Sequence, residues 1–131
     1  MDVLDRLNLG CWDYRILTFD GSRLIIAGST DFSYYHLVEA EFAEVSFISC
    51  PTYFSDAKFR LGTAAEQAEV SQFVAIDAGD HLFAIDAEST GSMELKAFFI
   101  LAQSLELNEG TVYYYKREDL KPGERIAAWV Q

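Results

Sequence analysis

The sequence predicts a mainly β fold, an antiparallel sandwich or barrel of seven to nine strands with one short helix. Three observations carry this reading. Short apolar runs alternate with polar residues. Turn signals stand at Asp20-Gly21, Gly79-Asp80 and Asn108-Glu109-Gly110. Only Thr63–Ser71 prefers helix outright. Half of the 131 residues are apolar and 24% are charged, so the chain folds, as one domain over residues 1–131.

The elements follow in chain order. A two-residue turn at Asp20-Gly21 pairs Leu17 with Leu24 and Ile16 with Ile25, placing Trp12, Tyr14, Ile16, Ile25 and Ala27 on one face. Tyr34–Ser49 has β-prone residues and no turn residue inside it, which predicts a bent or bulged strand. After the helix at Thr63–Ser71, the runs Phe73–Ala78 and Leu82–Ala87 flank Gly79-Asp80 as a second hairpin. Val74, Ile76, Phe83 and Ile85 then share a buried face, and His81 sits at the tip. Met93–Ser104 fits a strand leading into the third hairpin. Its Leu95, Phe98, Phe99 and Ala102 spacing also fits a helix capped by Ser92, which would make the class α+β. The third hairpin turns at Asn108-Glu109-Gly110, Lys121-Pro122-Gly123-Glu124 reads as a type II turn, and Trp129 is expected in the core.

Charge is the dominant global feature. Ten basic residues against 21 acidic ones give a net charge of −11. No Lys or Arg lies between Arg23 and Lys58, or between Arg60 and Lys96. Such a surface repels phosphate backbones and anionic lipid heads, so nucleic acid and membranes are not expected partners, whereas a basic protein is. The start of the chain puts acids where a secretion signal needs bases, and with two cysteines and no glycosylation sequon the expected location is the cytoplasm.

Motifs for chemistry are missing. The sequence contains no nucleophile elbow, no phosphate-binding glycine loop and no dinucleotide fingerprint. His36, His81, Cys11 and Cys50 are too scattered to suggest a zinc site, so no metal, cofactor or catalytic residue is expected. His36 and Glu39 have a spacing that works on a helix, whereas a strand sends them to opposite faces. Asp77 and Asp86 share a face in the proposed hairpin but would stand about 13 Å apart, too far for a glycosidase pair. Cys11 and Cys50 read as small core residues without a nearby cation to activate them.

What remains is tyrosine interleaved with acid. Alternation in Tyr113-Tyr114-Tyr115 puts Tyr114 opposite its neighbours, so the core cannot absorb all three. Tyrosine anchors interfaces, and surrounding acids supply a charged rim. The expected function is therefore a non-enzymatic cytoplasmic protein-binding domain. Its nearest physical profile is an inhibitor or immunity-type protein that neutralises a basic partner such as a toxin. The expected binding residues are Tyr34, Tyr35, Glu39, Glu41, Glu44, Asp77, Asp80 and Asp86. The competing readings are a small β-barrel holding an apolar small molecule, which needs an enclosed cavity of at least about 300 Å³, and an enzyme with an unusual carboxylate site. A homo-oligomer is compatible with all of them.

Overall fold

The computed structural model describes residues 2–89 and 95–131. Helix α1 (Asp2–Leu7) precedes β1 (Asp13–Phe19), β2 (Leu24–Ser29), β3 (Tyr35–Ala43), β4 (Phe47–Ser49) and β5 (Tyr53–Leu61). Helix α2 (Ala64–Val70) follows, then β6 (His81–Glu88), β7 (Lys96–Ala102), β8 (Ser104–Tyr113) and β9 (Arg125–Ile126). The strands form one sheet in the order β4-β7-β6-β5-β1-β2-β3-β8-β9, antiparallel throughout except for the parallel pair β8–β9. The fold is therefore mainly β, as the alternation predicts. The segment 95–104 contains strand β7, while Ser92 and Met93 lie outside the described residues.

The sheet folds over itself as a sandwich does, without closing into a barrel. In a flat sheet the four strand spacings between β6 and β3 would amount to about 19 Å. Instead the rings of Phe83 on β6 and Phe42 on β3 meet at 5.2 Å. Two chain runs turn the corner. One passes from β3 to β4 through Glu44, whose φ is 53°, and the other passes from β7 to β8 at Gln103. The runs hydrogen-bond across the bend, Gln103 N to Ala43 O at 3.0 Å and Ser46 N to Leu101 O at 2.9 Å. Tyr14, Phe42, Phe54, Phe59, Phe83, Ile85 and Ile100 fill the space between the halves. Helix α1, which the sequence reading did not anticipate, covers one end with Leu4 and Leu7. The Tyr14 hydroxyl donates to Leu7 O at 3.1 Å and fastens it there.

Each of the three hairpins needs correction. In the first, the Asp20 carboxylate accepts from Ser22 N and Arg23 N, lengthening the loop so that Phe19 pairs with Leu24. A bulge at Leu17 then sets Ile16 opposite Ile26 rather than Ile25, and Leu24 and Ile26 are the residues that enter the core. In the second, Asp77 to Asp80 does turn, with Asp80 N donating to Asp77 O at 3.1 Å. Phe73–Ala78, however, is not a strand. Both edges of β6 are taken by β5 and β7, so the run has nothing to pair with. Val74 and Ile76 instead pack with Val70, Leu82 and Leu101 on the outer side of β6, while Phe83 and Ile85 face the main core. His81 is accordingly the first residue of β6 and not a hairpin tip.

The third hairpin is a bulge within a single strand. His36 pairs with Val112 and Val38 with Glu109, so β8 advances three residues while β3 advances two. Gly110 absorbs the extra residue at a φ of 139°, and a Cβ there would fall on the Gly123 carbonyl. The Pro122-Gly123 turn forms as read, with Gly123 at a φ of 84° and Glu124 N donating to Lys121 O. Trp129 is not in the core, being 54% exposed.

Helix α2 begins where its sequence says. Thr63 and Glu66 form a reciprocal capping box, each side chain bonded to the other's backbone N–H. Arg60 of β5 then reaches Glu66 at 2.7 Å and Asp86 of β6 at 2.7 Å, tying the helix to the sheet. The Arg60 guanidinium, helped by the Thr63 N–H, lowers the Glu66 pKa to about 2 from a usual value of 4.5. A lowered carboxylate pKa contributes stability that is fully present above the unfolded-state value and disappears as pH falls through the folded one. Urea unfolding compared between the wild type and Glu66→Gln should therefore converge as pH falls from 4.5 towards 2. A gap that stays constant over that window would remove Glu66 as the titrating group.

Candidate functional site: a tyrosine cleft

The cleft is built by the turn between β2 and β3 and by the β3–β8 pairing. The Asp31 carboxylate accepts from Ser33 N at 3.0 Å, and its carbonyl accepts from Tyr35 N at 3.2 Å. This side-chain-stabilised turn delivers Tyr34 to the lip of β3. Buried Ser29 holds the next residue by donating its hydroxyl to Tyr35 O at 2.6 Å. Pairing of Tyr35 with Tyr113 then lays the Tyr113–Tyr115 run alongside, with Tyr114 N donating to Tyr34 O at 2.8 Å.

The rings meet edge to face, the arrangement their quadrupoles favour. Tyr34 and Tyr115 stand at 6.3 Å and 89°, Tyr35 and Tyr113 at 6.4 Å, and Tyr113 and Tyr115 at 5.6 Å. Tyr34, Tyr35 and Tyr115 line an open surface cleft of about 430 Å³. Arg117 closes one flank. Its guanidinium lies 4.2 Å over the Tyr113 ring and donates to the Tyr115 hydroxyl at 3.1 Å, while Asp119 accepts from it at 3.2 Å.

Tyr114 points away from its two neighbours, as alternation predicts, and joins a polar chain behind the cleft. The Glu39 carboxylate can only accept, so the proton on His36 Nε2 faces it, at 2.7 Å. His36 Nδ1 meets the Tyr114 hydroxyl at 2.6 Å and, in the neutral ring, accepts from it. Arg125 on β9 donates to the same Glu39 oxygen at 2.6 Å. The His36 N–H first, then the Arg125 charge, hold the Glu39 carboxyl below the usual carboxylate range against the opposing pull of burial. The expectation that His36 and Glu39 face opposite ways fails, because the ladder slips register between His36 and Val38 and strict alternation is lost there. Trp129 packs against Tyr114 at 5.2 Å with the rings tilted by 48°, which gives its indole a partner outside the core.

Of the residues expected to bind, the structure brings Tyr34 and Tyr35 together, and Glu39 and Glu41 lie on β3 nearby. Both acids are engaged, Glu39 as above and Glu41 by Arg23 at 3.5 Å. Glu44 is exposed at the corner between β3 and β4. Asp86 lies on β6, with β5, β1 and β2 between it and β3, and is held by Arg60. Asp77 and Asp80 bond to each other in the loop before β6. With Asp77 off the sheet, the supposed carboxylate pair does not share a strand face. Tyr115 and Arg117 also shape the cleft, although neither is among the residues expected to bind. The Tyr-Tyr-Tyr run was the available signal for the first, and nothing local marks the second.

Neither thiol is poised to react, since burial pushes both Cys11 and Cys50 up to about 11. Among the described residues, no three of His, Cys, Asp and Glu gather in a way that could hold a metal ion, and no helix is long and apolar enough to cross a membrane. No family model, curated protein or solved structure matches the chain. The arrangement offers ring faces and phenol hydroxyls, flanked by the Arg117–Asp119 ion pair.

Proposed function

We propose that this chain is a non-enzymatic protein-binding domain of the cytoplasm, of inhibitor or immunity type, whose partner presents a basic surface. The observation that carries the reading is the exposed tyrosine cleft on a chain of net charge −11. Tyrosine gives contact area at low entropic cost and is enriched among residues that dominate binding. Long-range attraction from the acidic surface would raise the rate of encounter with a basic partner. The apolar-ligand alternative draws less support, because aromatic rings fill the interior and the cleft lies at the surface.

Affinity capture from the native cell should recover a basic protein. Its binding should weaken as ionic strength rises past about 0.15 M, where the screening length is about 8 Å. Tyr34→Ala should speed dissociation, with a loss of about 2 kcal/mol. Glu44→Gln should slow association and leave dissociation nearly unchanged. Recovery of no basic partner, or binding indifferent to salt, would overturn the proposal.

A further inference from the structure

Resting on that reading, we infer that the Tyr34/Tyr35/Tyr115 cleft seats an arginine side chain of the partner, its guanidinium lying against the tyrosine faces. The perpendicular setting of Tyr34 and Tyr115 gives the cleft a corner that presents a ring face to a planar cation, with the phenol groups of Tyr34 and Tyr35 among its lining. A ring face carries negative potential and attracts cations, while phenol oxygens accept N–H bonds.

The chain already uses its aromatic rings in this way twice. Arg117 stacks on Tyr113 and bonds to the Tyr115 hydroxyl. Arg15 lies 4.9 Å over Phe32 and 5.7 Å over Tyr114. Arg117 does not bar a second guanidinium from the cleft, because Asp119 offsets its charge.

Arginine suits this cleft better than lysine. Among the described residues no carboxylate lines the cleft, so a strongly hydrated ammonium would surrender water for little return, whereas a guanidinium is weakly hydrated and flat. A free apolar molecule is a poorer fit to an open cleft, because it needs enclosure on most sides. A side chain tethered to a docked protein does not. The charge of −11 attracts the cation and does nothing for a neutral ligand.

The test titrates the intact protein with hexa-arginine, hexalysine and hexacitrulline peptides, following affinity by calorimetry and the tyrosine ring protons by NMR. Hexa-arginine should bind and move the ring signals of Tyr34, Tyr35 and Tyr115. Hexacitrulline, isosteric but neutral, should bind at least about tenfold more weakly. Tyr34→Leu and Tyr115→Leu keep an apolar side chain but remove the π face. Each should weaken hexa-arginine about tenfold and leave hexalysine nearly unchanged. Circular dichroism of the variants checks that the fold persists. Unchanged hexa-arginine affinity in both Leu variants would overturn the arginine seat and leave the basic-partner reading standing on charge alone. Equal binding of hexacitrulline would also overturn it, in favour of an apolar groove. Failure of both cationic peptides to bind would count against the seat and the basic-partner reading together.

Discussion

Phe83→Ala should lose about 3 to 5 kcal/mol of unfolding free energy, the largest effect expected in this protein. Phe83 has no exposed surface, and its ring packs at 5.2 Å and 72° against Phe42. The two phenylalanines come from opposite halves of the folded sheet, so truncation removes a contact that holds the halves together. The neighbouring rings are fixed by their own strands, and the cavity cannot close by a small shift. Chemical denaturation with the slope held equal between variants measures the loss. A value below 1 kcal/mol would mean that the halves are not joined through this pair.

Gly28→Val should cost about 3 kcal/mol, from overpacking rather than from a cavity. A Cβ at Gly28 would meet Tyr14 Cε1 at 2.8 Å and Val38 Cγ2 at 2.9 Å, well inside ordinary carbon contact. The Tyr14 ring cannot yield. It is stacked on Phe54 at 5.7 Å, edge-on to Phe59 at 5.2 Å, and tied through its hydroxyl to helix α1. Gly28 sits opposite Tyr14 in the β1–β2 ladder, and the missing side chain is what lets the ring lie across β2. Val38→Ala added to Gly28→Val should recover part of the loss by relieving one of the two contacts. No recovery would show that the Tyr14 contact alone sets the penalty.

The tyrosine cleft was half legible in the sequence. Tyr34 and Tyr35 stand out because they open a predicted strand just after Asp31, and Tyr113-Tyr114-Tyr115 because alternation forbids all three the same environment. That the two runs form one cleft could not be read locally. It depends on β3 choosing β8 as a partner across some seventy residues. Asp77, Asp80 and Asp86 share only their charge with Glu39 and Glu41, and the strand order separates β6 from β3.

What the sequence determined by itself is whatever short-range chemistry decides. Thr63 and Glu66 start a helix because their side chains satisfy its free N–H groups, whatever surrounds them. Pro122-Gly123 turns because proline presets one φ and glycine allows the other. Phe83 and Ile85 share one face because strand alternation spaces them two residues apart, and an apolar run such as Leu82–Ala87 is buried on both faces. Gly79 and Gly110 show the limit. Each does adopt a positive φ, as a turn glycine should, yet one closes a loop beside a strand with both edges occupied and the other bulges a strand that runs straight on. A glycine declares that the backbone can bend, but which strand lies alongside is settled by burial of side chains distant in sequence. For that reason the register of β1 on β2, the corner at Glu44, the exposure of Trp129 and the cleft itself were decided only by the tertiary structure.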